Sequence, residues 1–375
     1  MDIEPIGTDT NGYTYRRFEP GDEQAIVDLH NEVWDGGRTV EWFRWKYVDT
    51  PAVEHVPMFV AEREGDIVAA VGFVAYRMWG PKGTGVGSLA SDLVVAQAHR
   101  RRGVFSSLYR DAVARYATRT GVPENECPDF IFSYANPSSH PGMRKLGALD
   151  VEPRRSFHQI HHPRYYVQDR FGSAAARVLG PIVDTAARFY LRRNRPGSPA
   201  DVTVRRHAEV PAETLATLAD AARPAGVSPL ADAQFYRWRF EGPRWRPDAT
   251  YVASREGRPI AATITRLTTE AATGAETVSL IHTAPFGETT DRADGIAAIL
   301  DRVAADSPDT GFLRAWNPVY PDLLLRERGF VSDQQPPLSW ITGSDLQLVV
   351  FELPSERYSS ADVQVSGPAL WSLDK

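Results

Sequence analysis

Apolar and polar positions along the first half of the chain switch between period two and a three-to-four spacing in a readable order. Residues 13–18, YTYRRF, alternate as a strand does. Residues 20–34, PGDEQAIVDLHNEVW, open with proline and acids and then carry apolar residues at helical spacing, and 39–48 predict a second short helix. Residues 58–79 read as two strands around a tight turn at Glu64–Gly65–Asp66, and 86–95 as another strand. An amphipathic helix over 105–121 ends at a glycine, a short buried strand covers 129–136, and a short helix over 137–149 leads into a final strand pair. The resulting order, βααβββαβαβ, predicts an α/β layer on a mixed sheet.

The second half repeats this order. FYRWRFEGP (235–243) echoes WFRWKYVDTP (42–51), YVASREGRPIAA (251–262) echoes FVAEREGDIVAA (59–70), and AWNPVYPDLLLRERGF (315–330) echoes YANPSSHPGMRKLGA (134–148). Three blocks in the same order, at offsets of 193, 192 and 181 residues, indicate a tandem duplication. Between the halves, 163–200 is rich in alanine and arginine. It reads as a helical connector packed between the domains and interrupted at Pro181, with a helix lying on a membrane surface as the other reading. The expected division is a catalytic domain at 1–162, the connector at 163–200, a degenerate second domain at 201–345 and a C-terminal tail at 346–375, loosely ordered from 355.

Composition narrows the function. The 375 residues carry a net charge of −6, so no global basic field draws the chain to nucleic acid or to an anionic membrane, and any bound anion must be held locally. One cysteine, Cys127, excludes an internal disulfide, and with an acidic, non-apolar N-terminus it fits a cytoplasmic location. No run reaches the roughly 18–20 apolar residues of a spanning helix, so membrane insertion is not expected. In HQIHH (158–162), strand alternation turns His161 and His162 to opposite faces, so no metal is expected.

Against this acidic background VVAQAHRRRGVFSSLY (94–109) concentrates positive charge where a strand turns into a helix. Such a turn aims unpaired backbone N–H groups and the helix dipole at one point, and Gly103 lets an anion of pyrophosphate size approach without a Cβ in the way. The stretch LVVAQAHRRRGVFSSLY resembles the cofactor signature of the GCN5-related N-acetyltransferases (GNAT), a strand ending in valine followed by Arg/Gln-x-x-Gly-x-Gly/Ala. Arg100, Gly103 and Phe105 stand at its three positions, with Phe105 replacing the usual small residue. The wording HRRRGV is most similar to the tandem-domain acetyltransferases of the enhanced-intracellular-survival type.

The resemblance implies two tandem GNAT-like domains, each a mixed, mostly antiparallel sheet flanked by helices, and acetyl-CoA as cosubstrate. Leu93, Val94 and Val95 would pair with the pantetheine arm as an added strand. The turn Arg100, Arg101, Arg102, Gly103, Val104, Phe105 and Ser106 would take the pyrophosphate, with its amides from Arg101 to Ser106 as donors. Asn136 would face the cofactor, or cap the helix that begins at Pro137. The tyrosine that often serves the family as acid is replaced by Met143, and in the second half by Leu325. Tyr134, or His140, is the substitute acid. Asp92, an ionisable group inside an apolar strand, is the candidate base, raised by burial, or else a structural aspartate. The second half lacks the signature: Glu288, Asp291 and Asp294 stand where a pyrophosphate would bind and would repel it. The expected activity is N-acetyl transfer to a primary amine of a small molecule or amino sugar. A non-catalytic acetyl-CoA sensor, and a tandem acyltransferase using a longer acyl donor or aminoacyl-tRNA, are the other readings. Homo-oligomerisation stays open.

Overall fold

The computed structural model describes residues 6–34, 36–153, 155–193, 197–243, 247–317, 319–336, 338–340, 346–364, 369–370 and 373. The first half runs β1 (Thr14–Arg17), α1 (Glu23–Trp34), α2 (Val40–Phe43), β2 (Met58–Arg63), β3 (Asp66–Gly80), β4 (Gly83–Val95), α3 (Val104–Ala117), β5 (Phe130–Ala135), α4 (His140–Lys145), β6 (Leu149–Pro153) and β7 (Arg155–Ile160). A long helix, α5 (Arg164–Arg193), connects to the second half. That half runs β8 (Val202–His207), α6 (Ala212–Ala221), β9 (Ser228–Pro229), α7 (Ala233–Phe240), β10 (Ala249–Arg255), β11 (Arg258–Thr269), β12 (Glu276–Ala284), α8 (Thr290–Asp306), β13 (Phe312–Asn317), α9 (Asp322–Glu327), β14 (Val331–Ser332) and β15 (Gln347–Glu352).

The repeated Arg-Glu-Gly wording has a local cause. In the β2–β3 hairpin Glu64 and Gly65 both take positive φ (56° and 92°), and in the β10–β11 hairpin Glu256 and Gly257 do the same (52° and 78°). Two consecutive left-handed residues match the twist of the flanking strands, which is why the second of each pair is glycine. The repeated tryptophans also have one. Trp45 Nε1 donates to the Trp238 carbonyl at 2.7 Å, and Trp238 Nε1 donates to the Trp45 carbonyl at 2.8 Å. These residues are 193 apart, the offset of the repeat itself, so equivalent side chains meet reciprocally where the halves join, as at a two-fold axis.

The sheets carry the same symmetry, with one exchange. The first is ordered β1-β2-β3-β4-β5-β15-β6, with β9 added on β3, and the second β14-β7-β13-β12-β11-β10-β8. Both are antiparallel apart from the parallel pairs β4–β5 and β12–β13. The last strand of each half thus leaves its own sheet: β7 lies between β13 and β14, and β15 between β5 and β6. This departs from the expected final strand pair and from both boundaries drawn at 162 and 346. β6 and β7 are separated by Arg154 alone and β7 carries the buried Phe157, so the chain passes straight into the partner sheet. The tail expected to be loose is anchored too. Tyr358 donates to the carbonyls of Met78 and Gly83, and Leu370 and Leu373 are fully buried.

The core has two layers. Beneath α3, one face of the first sheet packs Tyr109, Phe73, Tyr116 and Phe351. Its other face joins α1 and α2 to the second half in a continuous cluster through Trp42, Trp45, Tyr236 and Phe240. The connector is not between the halves. It lies along the outside, where Arg188, Leu191 and Arg192 border a hollow shared with Asp301 and Ala304 of α8. Its break falls at Gly172 (φ 83°, ψ 169°) rather than at Pro181. Glycine alone reaches that backbone region without strain, whereas proline's φ is that of a helix, and the segment continues through it at the cost of one backbone hydrogen bond.

Candidate active site

The site begins at an irregularity in β4. The β3–β4 ladder passes from Gly72↔Ser91 to Ala70↔Val94, so Asp92 and Leu93 together oppose Val71, and Asp92 takes φ 51°. This extra residue is a β-bulge, which bends its strand. The β4–β5 pairing runs from Gly87↔Phe130 to Leu89↔Phe132, after which Ser133 Oγ still donates to the Ala90 carbonyl at 3.1 Å. Beyond that point the two parallel strands part around a cleft of about 430 Å³. One wall is Ala90–Leu93 on β4 and the other Ser133, Tyr134 and Asn136. Tyr109 and Met143 form its floor, and Trp34, Arg38 and Leu346 its mouth.

The arginine turn joins the β4 wall to the helix under the cleft. After Val95 one turn of 3₁₀ helix (Gln97–His99) leads to Arg101 at φ 61° and Gly103 at φ 81°, and α3 starts at Val104. Alternating left-handed and extended residues before a helix point successive amides into one concavity, and the first four N–H groups of the helix have no partner within it. Arg100, Arg101 and Arg102 are all exposed, with Arg100 Nε tied back to the Val95 carbonyl at 3.1 Å. Among the described residues nothing lies within 4 Å of where a Cβ on Gly103 would stand. Val104 is buried beneath the turn, while Phe105 and Ser106 are half-buried, and the Phe105 ring stacks on Tyr109. Of the strand residues expected to meet the pantetheine arm, Val94 is buried and Leu93 and Val95 are half-buried at the α3 side. The arginine turn therefore follows directly on the strand that walls the cleft, with its arginines and Gly103 exposed.

Asp92 lines this cleft, but not as an isolated carboxylate. Its Oδ1 accepts from Arg38 at 3.1 Å, and its Oδ2 accepts from Tyr47 Oη at 2.5 Å and from Lys46 Nζ. Lys46 also donates to Ser91 Oγ at 3.0 Å. The Arg38 guanidinium lies between the rings of Trp34 and Trp42, at 4.5 and 4.8 Å. His30 contacts the Asp92 carbonyl at 3.1 Å, and burial pushes it down to about 4, so it stays neutral beside the two cations. Burial and the Asp92 charge hold the Tyr47 hydroxyl far above the ordinary tyrosine range, so it remains a donor. The expectation of a carboxylate raised by burial gives way to one with both oxygens occupied, two cations and a hydroxyl serving it.

Tyr134 also lines the cleft, and its hydroxyl donates to the Leu370 carbonyl. Asn136 Oδ1 accepts from the amides of Ser138 and Ser139 at 3.0 and 2.9 Å, so it caps the following turn while lining the cleft. His140 is turned away onto Asp150 at 2.7 Å. Sequence reasoning passed over Tyr109, a residue of the cleft floor whose hydroxyl is fully buried and has no hydrogen-bond partner among the described residues. It also passed over Arg38, Lys46 and Tyr47. A signal for the last two existed, because the repeat has Arg239 and Phe240 at their places. The contribution of Leu346 and Leu370 had none, since it depends on the strand exchange.

The corresponding region of the second half is filled. The Arg292 guanidinium is buried and donates to the carbonyls of Pro285 and Val319, bridging the ends of the β12 and β13 walls. Arg255 binds Asp291 and, at 2.8 Å, Asp294, so the acids expected to repel a phosphate are neutralised by protein. Glu288 pairs with Arg292. The three histidines of HQIHH separate: His158 sits between β13 and β14, His161 contacts Gln159, and His162 contacts Asp184. Among the described residues no group of three His, Cys, Asp or Glu could hold a metal ion, and no helix is long and apolar enough to cross a membrane.

The architecture recurs in solved structures. A conserved protein of unknown function from Enterococcus faecalis V583, described as a probable N-acyltransferase, superposes with a TM-score of 0.63 at 9% identity, over 91% of this chain and 72% of that one. A GCN5-related N-acetyltransferase from Anabaena variabilis gives 0.59 at 9% identity (90% and 72%). The Saccharomyces cerevisiae N-myristoyltransferase with bound myristoyl-CoA gives 0.55 at 11% identity (93% and 80%). At such identities the likeness is one of fold. No curated protein matches the sequence. Residues 14–124 match the family model of the acetyltransferase (GNAT) domain, a span that includes the bulge at Asp92 and the arginine turn.

Proposed function

We propose that the chain is an N-acetyltransferase that moves an acetyl group from acetyl-CoA to a primary amine of a small molecule or amino sugar, in a ternary complex. One observation carries this reading: β4 walls a cleft where it parts from β5, and the same strand runs directly into the Gly103 turn at the start of α3. The pyrophosphate would sit on the amides from Arg101 to Ser106, the pantetheine along Leu93–Val95, and the thioester at Asp92 and Ser133. The amine nitrogen would attack the thioester carbonyl from the mouth at Trp34 and Arg38, the C–S bond would break, and the amine's proton would leave to solvent.

Asp92 is assigned a positioning role, because its oxygens are already engaged by Arg38, Lys46 and Tyr47. The Tyr134 hydroxyl is committed to Leu370, so the hydrogens that could be offered to the departing thiolate are those of Ser91, whose oxygen accepts from Lys46, and of the buried Tyr109 beneath the cleft floor. Only the first half would take cofactor, the second completing its walls, an arrangement like the enhanced-intracellular-survival type.

Two measurements test this. In calorimetry the full chain should bind one CoA, and Gly103→Asp should weaken it strongly by placing a carboxylate against the phosphates. The fold should persist, since an aspartate tolerates positive φ at a cost of about 1 kcal/mol and meets nothing there. Unchanged affinity would reject the turn as the pyrophosphate site. Tyr109→Phe removes a buried hydroxyl with no partner among the described residues, and stability should rise by about 1 kcal/mol. Turnover of acetyl-CoA with an amine panel should fall in the same variant. Unaltered turnover there would remove Tyr109 from the chemistry, and no turnover by the wild-type chain with any amine would favour a non-catalytic acetyl-CoA-binding protein.

A further inference from the structure

Beyond Gly172 the connector helix exposes a row of large apolar residues. Val178 is 72% exposed, Ile182 66% and Phe189 69%, and Leu179 and Tyr190 flank them. At 100° per residue, 178, 182 and 189 fall on one line along the helix, and 179 and 190 border it on one side. The opposite face holds the helix on the protein: Gly180 packs on Arg164, and Asp184 accepts the Arg164 amide and faces His162. The outward stripe is therefore a second apolar face.

Charge identifies what it fits. Residues 164–193 contain six arginines and two aspartates, a net charge of +4 in a chain whose total is −6, leaving −10 on the remainder. Arg188, Arg192 and Arg193, all exposed, gather at the C-terminal end beside Phe189 and Tyr190. We propose that α5 docks on an anionic membrane surface, its stripe of Val178, Ile182 and Phe189 lying in the headgroup boundary and its arginines on the lipid phosphates. An apolar stripe rimmed by arginine is the pattern of helices that lie in a membrane interface without crossing it. A second copy is a poor occupant, because self-pairing would set two +4 helices against each other. The helix is an outer face away from the cleft, so the inference stands apart from the acetyltransferase reading.

Flotation of the full chain with phosphatidylcholine vesicles containing phosphatidylglycerol tests it. The wild type should bind these vesicles, bind pure phosphatidylcholine more weakly, and release as salt screens the arginines. Ile182→Asp/Phe189→Asp should reduce binding about tenfold or more, and Arg188→Glu/Arg192→Glu should abolish the preference for phosphatidylglycerol, with unchanged circular dichroism. No binding by the wild type, or equal binding by the Ile182→Asp/Phe189→Asp variant, would overturn the proposal. So would a dimer in analytical ultracentrifugation that this same variant dissociates, because the face would then be a protein interface.

Discussion

A fragment of residues 1–200 is expected to lack a cooperative folding transition, although it contains every motif of the acetyltransferase signature. It would lack β15, which hydrogen-bonds β5 on one side and β6 on the other. Leu348, Val349, Val350 and Phe351 of that strand are buried, and the Phe351 ring lies 5.0 Å from that of Tyr109 at the cleft floor. Four large side chains at about 1.5–3 kcal/mol each amount to roughly 6–12 kcal/mol, the whole stability of an ordinary domain. The 201–375 fragment would lose β7 from between β13 and β14 in the same way. Co-expression of the two fragments should restore a folded, CoA-binding complex. A sharp thermal transition in the isolated 1–200 fragment would show that the exchanged strand is dispensable.

Asp92→Asn should cost about 3–5 kcal/mol of stability, the usual loss when one member of a buried ion pair is removed. The amide keeps the shape of the carboxylate but leaves Lys46 and Arg38, whose side chains are only 12% and 13% exposed, without its charge. Adding Lys46→Met should recover part of the lost stability by removing one stranded cation. That double variant separates position from proton transfer. If Asp92 shapes the cleft wall, the folded double variant should retain turnover within about tenfold of wild type. A loss of roughly 10²–10⁴ in kcat, with the residual rate rising with pH, would instead make Asp92 the general base.

Much of this was legible in the sequence. The periodicity and the turn wording fall on β2, β3, α3 and β5, because hairpin chemistry and helix amphipathicity act within a few residues of one another. The repeat marked Trp45 and Trp238 as equivalent residues, but only the structure shows that they meet reciprocally. The arginine turn was readable for the same local reason: a strand end, a glycine and a helix start suffice to expose amides.

Three things were decided only by the tertiary structure. The strand exchange places β15 beside β5, a contact between residues more than 200 apart that no local pattern encodes. The partners of Asp92 come from the segment between α1 and β2, so its local setting of an apolar strand implied a lone buried carboxylate where three donors converge. The outward stripe of α5 was ambiguous because periodicity shows that a helix has apolar faces but not which one the protein covers. The sequence by itself determined the elements, the repeated wording and the strand–turn–helix at Gly103, where the causes lie within a few residues. Packing decided which strand completes which sheet, what surrounds each charge and which apolar face stays exposed, because those energies depend on neighbours brought together only by the fold.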